Sequence, residues 1–204
     1  MNKQKQHIGY KPLGLKGSFA GILMNSSHAG LYKKIIYKYA VDSLFGKTAP
    51  KILDIGCGGG KVLDIFSSAL KNAKLFGIDH SEDMVKMARR VNKSAINFGK
   101  TEITLGLSSA LPYPDNQFNL ITAFDTINYW DDFENSAKEI MRTLADKGIF
   151  MIVNAYPREG TKWRDFVKFK NSDEYRSSLG KSGFKEIRTF IENNTIIILA
   201  HKME

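Results

Sequence analysis

Cysteine is almost missing from this chain: Cys57 is the only one in 204 residues. No disulfide framework can form, and a thiolate zinc site is strongly disfavoured. The four histidines (His7, His28, His80 and His201) are too scattered to suggest a metal centre. No apolar run approaches the roughly 18 residues that span a bilayer, so no membrane segment is expected. The opening Met1-Asn-Lys-Gln-Lys-Gln-His7 has no apolar stretch of the signal-peptide kind. A reducing cytoplasm is the expected compartment. Repeats and low-complexity tracts are absent as well.

Acidic residues are scarce only at the start. Formal charge is +7 over residues 1–50, −1 over 51–150 and +3 over 151–204, within a total of +9. The N-terminal excess is all lysine. No arginine-rich stripe or aromatic-interleaved basic strand accompanies it, so nucleic acid is disfavoured and a solvated lysine surface is expected.

What is present centres on Lys51-Ile-Leu-Asp-Ile-Gly-Cys-Gly-Gly-Gly-Lys61. An apolar strand runs into a glycine turn. Val62, Leu63, Ile65 and Phe66 then follow with the spacing of a helix face. A strand, a glycine turn and a helix N-terminus together form a cradle for a nucleotide-like ligand.

Before this core, the pattern from Phe19 to about Phe45 predicts two helices. Phe19, Ile22 and Leu23 form a first apolar patch; Leu31, Ile35, Ile36, Tyr39, Ala40 and Leu44 form a longer stripe, and Ser26 or Ser27 is the expected cap between them. Residues 1–18, broken by Pro12, Gly14 and Gly17, are expected to be poorly ordered. After the core turn, strands alternate with helices. Strands are expected at Lys51–Ile55, Leu75–Asp79, Ile103–Gly106, Phe118–Phe124 and Gly148–Asn154. Helices are expected at Val62–Leu70, Ser81–Val91 and Phe133–Leu144. Short helices are read at Phe166–Phe169 and Tyr175–Leu179, then a hairpin of Phe184–Ile191 and Thr195–Ala200 about Glu192-Asn-Asn.

The fold class that follows is α/β: a Rossmann-like, doubly wound, mostly parallel seven-stranded sheet. It ends in a C-terminal antiparallel hairpin and carries an N-terminal helical cap. A single domain is expected over 1–204, with the cap at 1–48, a ligand-binding core at 49–155, and terminal helices and antiparallel strands at 156–204.

Two ligand classes use such a turn. Dinucleotides call for a third glycine where Lys61 stands. A nucleoside joined to an amino acid has no pyrophosphate and can use the shorter Gly56-x-Gly58, but its ammonium needs a partner. Asp54 is placed for that role. Asp79, at the end of the second strand, is placed to accept both hydroxyls of a ribose, as either class requires.

Leu53-Asp-Ile-Gly-Cys-Gly-Gly-Gly60, Gly77-Ile-Asp-His-Ser-Glu-Asp-Met84, Leu111-Pro-Tyr-Pro-Asp-Asn-Gln-Phe-Asn-Leu120 and Leu144-Ala-Asp-Lys-Gly-Ile-Phe150 resemble, in order and spacing, the successive motifs of class I S-adenosylmethionine-dependent methyltransferases of type 11. The likeness covers roughly residues 50–155. Met24-Asn-Ser-Ser-His28 resembles a small bacterial and archaeal subgroup with Met-Asn-x-x-His before the core. The resemblance implies S-adenosylmethionine as cofactor and S-adenosylhomocysteine as product. It implies that Gly56, Cys57 and Gly58 approach the methionine moiety, with Asp54 toward its amino group. Asp79 would hold the ribose, and His80 and Met84 would flank the adenine. Phe124 and Asp125 would line the methyl-bearing side. The family's acid after strand three is replaced by Leu107-Ser108-Ser109, so Ser108 and Ser109 are the expected contacts there.

Methyl transfer from a sulfonium asks mainly for alignment and exclusion of water, which leaves the catalytic residue hard to read. No Asn/Asp-Pro-Pro-aromatic follows strand four, which argues against methylation of an amide or adenine amine. The single cysteine sits in the turn, which argues against a cytosine-C5 thiol. His28, Tyr32, Asp125, Tyr129 and Trp130 are the acceptor-side candidates, with His28 and Tyr129 the candidate catalytic groups. The short tail leaves little room for a substrate domain and favours a small-molecule acceptor. An RNA or protein methyltransferase using the basic segment, and a cofactor-binding protein without transfer activity, remain the alternatives.

Overall fold

The computed structural model describes residues 28–156 and 159–203. The helix expected from Phe19, its patch at Ile22 and Leu23, and the Ser26 or Ser27 cap lie outside the described residues.

The first described helix is α1, Ala29–Ile35, which continues as a π-helical turn at Ile36–Val41. Its stripe buries Tyr32, Ile35, Ile36, Tyr39, Ala40 and Leu44. Tyr32 takes a buried place in that stripe, whereas Leu31 is only partly covered.

The rest alternates as expected, apart from one short helix at Lys93–Asn97 that was not read from the sequence: β1 Lys51–Ile55, α2 Lys61–Ala69, β2 Lys74–Asp79, α3 Glu82–Val91, α4 Lys93–Asn97, β3 Thr101–Leu105 and β4 Phe118–Phe124. There follow α5 Phe133–Thr143, β5 Leu144–Ala155, α6 Ser172–Lys181, β6 Lys185–Glu192 and β7 Thr195–His201. Ser81 caps α3 as expected, its hydroxyl accepting from the Met84 N–H.

Two local readings are corrected. The helix expected at Phe166–Phe169 does not form; a 3-10 turn lies earlier, at Lys162–Asp165. The apolar residues here do not share one face. Phe166 is exposed, while Phe169 packs edge-on against Phe133 at 4.8 Å and tilts onto Tyr175 at 4.6 Å. Strand β5 begins at Leu144 rather than Gly148, because an irregularity in the pairing with β4 takes in the intervening residues, with Lys147 at φ 59°.

The seven strands form one sheet in the order β3-β2-β1-β4-β5-β7-β6. All pairings are parallel except those of β7 with β5 and β6. The Rossmann-like fold class expected from the sequence is therefore the observed one. Side chains of β1 alternate between the faces: Ile52 joins the core beneath α1, α2 and α3, and Leu53 and Ile55 join the one beneath α5 and α6. The chain winds outward from β1 to β3, then returns to place β4 on the other side of β1. Strand order reverses at that point, and an open α/β sheet has its binding crevice at the carboxyl ends of the strands there. Gly56 leaves β1 and Asp125 leaves β4 at this place.

Candidate functional site

The turn after β1 is built from left-handed glycines, with Gly56 at φ 69°, Gly58 at 50° and Gly60 at 82°. The amides of Gly56 and Cys57 both donate to the Ile78 carbonyl, at 2.8 and 3.1 Å. A Cβ on Gly56 would stand 2.0 Å from Thr126 Oγ1. The backbone of the turn is thus pressed against the loop that follows β4. From behind, Asn92 Nδ2 donates to the Gly60 carbonyl at 2.9 Å. Cys57 itself points into the core and is buried, and burial pushes its thiol well up. Whatever it offers a ligand is backbone.

Asp79 is buried, and both its oxygens are engaged. Oδ2 accepts from the Gly58 N–H at 2.8 Å and Oδ1 from the Ser81 N–H at 2.9 Å. One carboxylate therefore ties the glycine turn to the start of α3 while keeping lone pairs for further donors. His80, half-exposed, stands 3.5 Å from Asp79 Oδ1 through Nδ1. Met84 lies one helical turn on, partly covered.

Asp54 is 1% exposed, on the face of β1 away from Leu53 and Ile55, and among the described residues its hydrogen bond comes from Thr122 Oγ1 at 2.7 Å. Burial pushes its carboxyl up to about 7; the Thr122 hydroxyl opposes this, and the charge on Asp79 adds to it. A carboxylate this short of donors suits a cation. A ligand ammonium would stabilise the ionised form, so binding would expel a proton. Affinity for S-adenosylhomocysteine is therefore expected to rise as pH climbs to about 7 and then to level off. Calorimetry at pH 6.5 in two buffers of different ionisation enthalpy would detect the released proton; affinity that is flat between pH 6 and 7.5 would remove Asp54 from this role. Folding responds in the opposite sense. A raised carboxyl favours the fold below its unfolded value near 4, and that contribution fades as pH rises to about 7.

A narrow cleft of about 80 Å³ opens at this edge of the sheet. Its floor holds Ile55, Gly56, Ile78 and Asp79, and one side holds His80, Ser108 and Ser109. The other side comes from the loop after β4, including Thr126, Tyr129 and Trp130. Ser108 Oγ shares a 2.8 Å hydrogen bond with Ser136 Oγ. Trp130 serves two surfaces: it borders the cleft and is also buried, stacked on Phe133 and Phe150. Among the described residues a larger hollow, about 290 Å³, lies between α1 and α2 beside Lys33 and Lys61. None of the expected cofactor residues borders it, and the switch-point cleft is where the polar groups converge.

Toward β5 lies a second polar group. Asp125 sits at φ 52°, a left-handed conformation that aspartate tolerates better than most residues. Its Oδ2 accepts from the Tyr32 hydroxyl at 2.6 Å and its Oδ1 from the Ala155 N–H at 2.9 Å. Phe124 meets the Tyr32 ring edge-on at 5.0 Å. Burial, then the neighbouring Asp125, pushes the phenol of Tyr32 well above its usual range, and that of Tyr129 rises for the same two reasons. Both remain donors.

The expected residues thus fall into three places: Asp79, His80, Ser108, Ser109 and Tyr129 around the cleft, Asp54 in β1 against Thr122 of β4, and His28, Tyr32, Phe124 and Asp125 at the end of β4. Thr122, Thr126 and Asn92 were missed. Only Thr126 had a sequence signal, its place directly after the β4 acid. The site suits a nucleoside joined to an amino acid. It offers a buried carboxylate with a single donor for the ammonium, a carboxylate at the end of β2, and between them a glycine turn whose Cys57 side chain is turned into the core.

A family model described as a methyltransferase domain matches residues 53–152. YcgJ, an uncharacterized methyltransferase of Bacillus subtilis, is 25% identical over 146 residues, covering 72% of this chain and 56% of that protein. A demethylmenaquinone methyltransferase of Chlorobaculum tepidum is 27% identical over 157 residues, covering 75% and 61%. The match therefore spans less than two thirds of either relative. The crystal structure of a SAM-dependent methyltransferase from Aquifex aeolicus superposes with a TM-score of 0.67 at 18% identity, covering 87% of this chain and 97% of that one. At that identity the likeness is one of fold.

Proposed function

The chain belongs to the class I S-adenosylmethionine-dependent methyltransferases, and from that premise we propose that it methylates a small-molecule acceptor. The observation that carries this reading is the placing of Asp54 and Asp79 about one glycine turn at the β1/β4 switch point. S-Adenosylmethionine, the family's cofactor, would supply an electrophilic methyl group on a sulfonium there.

In this reading Asp79 holds the ribose and Asp54 faces the ammonium. The backbone of Gly56 to Gly58 approaches the methionine moiety, and His80, Met84, Ser108 and Ser109 surround the adenine. Phe124 and Asp125 border the reacting side with Tyr32, while the loop carrying Tyr129 and Trp130 forms the wall an acceptor would meet. The rate would come from in-line alignment in a site that excludes water. The small-molecule acceptor is supported by the short segment between β5 and α6, and by a relative whose name gives a quinone precursor as its substrate. The reading takes residues 1–204 as one domain working in a reducing cytoplasm. Among the described residues no helix is long and apolar enough to cross a membrane.

Thermal melting with S-adenosylmethionine, S-adenosylhomocysteine and NAD tests this directly. A ligand at 100 times its Kd adds about 2.7 kcal/mol to the native state. For a chain of this length that raises Tm by roughly 5–10 °C. The first two ligands are expected to do this and NAD to do nothing; a shift with NAD alone would overturn the reading.

A further inference from the structure

We propose that His28, oriented by Asp125, is the group that takes a proton from the acceptor, so that the acceptor is an oxygen or nitrogen nucleophile still carrying its proton at neutral pH. This rests on the methyltransferase reading above and names the acceptor chemistry of the same site.

The case starts from a buried atom without a partner. His28 Nδ1 is shielded from solvent and makes no hydrogen bond. The facing acid is Asp125, with Oδ2 at 3.9 Å. The rest of the histidine side chain is open, 42% exposed overall. One ring nitrogen therefore faces a carboxylate and the other remains reachable. Bonds of this kind often tighten only once the ligands are bound.

Asp125 is held for this task from three sides. Its N–H donates to the Val153 carbonyl at 2.7 Å, its Oδ1 is occupied by the Ala155 N–H, and its backbone is fixed in the left-handed region. Oδ2 is thereby turned toward α1, where it meets Tyr32 at 2.6 Å and His28 beyond. The Tyr32 ring lies 5.7 Å from that of His28 and supports it. The titratable groups facing this corner are Asp125 and Tyr32, with Asp54 acting on Tyr32 by its charge and Tyr129 and Tyr175 near Asp125. Tyr32 is committed as a donor to Asp125. Both oxygens of Asp125 already accept hydrogen bonds, and Asp54 is buried against Thr122, so His28 is the open member of the group placed to take a proton from an acceptor.

The step balances as follows. An acceptor X–H attacks the sulfonium methyl. The X–C bond forms while the C–S bond breaks and its electron pair goes to sulfur, leaving S-adenosylhomocysteine. The X–H proton passes to His28 Nε2, and the imidazolium rests against Asp125 before releasing the proton to water. A carbon nucleophile that is already an anion, or a thiolate, would have no use for this pair.

The test reads the tautomer of His28 by ¹⁵N NMR on the full chain saturated with S-adenosylhomocysteine, with His28→Gln identifying its signals among the four histidines. Neutral His28 is expected to carry its proton on Nδ1, leaving Nε2 free. In Asp125→Asn the Ala155 N–H retains the amide oxygen, so the amide nitrogen faces His28. The proton is then expected to move to Nε2. Calorimetry with S-adenosylhomocysteine, run in parallel, should show the cofactor bound. Cofactor binding with Nε2 protonated in the unaltered protein would overturn this inference alone, because that nitrogen could not accept a proton. No binding at all would overturn the parent reading and this inference with it.

Discussion

Asp79→Ala is expected to weaken S-adenosylhomocysteine binding by about 1.5–3 kcal/mol, roughly 10- to 150-fold in Kd, the scale of hydrogen bonds to a charged group. Two losses combine. The ribose hydroxyls would lose their acceptor, and the Gly58 and Ser81 amides would lose the carboxylate that joins them. Asp79→Asn does not escape, because an amide offers one oxygen where two backbone donors now point. An analogue of S-adenosylhomocysteine without ribose hydroxyls separates the two effects. If Asp79 holds the ribose, the analogue binds the native protein weakly and loses little more in the variant. If Asp79 only shapes the turn, both ligands lose affinity by the same factor. Unchanged affinity for S-adenosylhomocysteine in calorimetry would show that the ribose lies elsewhere.

Both halves of this argument began as sequence, and their legibility differed for physical reasons. The ends of β1 and β2 were readable because glycines and acids at strand termini are local signals: each element's type, and the switch from period two to helical period, lies within about ten residues. The hairpin was readable from Asn193 and Asn194, which adopt the positive φ of a tight turn. What pairs across the sheet was not readable. Thr122 reaches Asp54 from a neighbouring strand 68 residues on, and Tyr32 reaches Asp125 from 93 residues before it. The register of β4 against β1 decides the first, and the docking of α1 the second; neither leaves a mark in either segment alone. Asn92 is similar. It sits at the end of α3 as an ordinary capping residue, and only the approach of Gly60 to Ala88 gives it a role at the turn. The failed helix at Phe166–Phe169 is the converse, a local pattern overruled because Phe169 found its neighbours in Phe133 and Tyr175 while Phe166 stayed exposed.

The glycine turn also yields the largest expected effect on stability. In Gly56→Ala the new methyl would lie 2.0 Å from Thr126 Oγ1 and 2.7 Å from Thr126 Cβ, closer than atoms can approach. The residue would also keep φ 69°, a region that costs a side chain about 1–2 kcal/mol. With overpacking of about 1–3 kcal/mol, the sum is roughly 2–5 kcal/mol, a large share of a domain's usual stability. A fall in Tm of about 5–20 °C is expected, with loss of cofactor binding as the turn shifts. The two causes can be told apart. Thr126→Gly removes the three atoms nearest the new methyl but leaves φ unchanged. Combined with Gly56→Ala it should recover about 1–3 kcal/mol beyond the sum of the single changes, and the backbone cost should remain. Denaturant melts of the four proteins give that coupling term. A value near zero would mean that the turn and the β4 loop are not pressed together at Thr126.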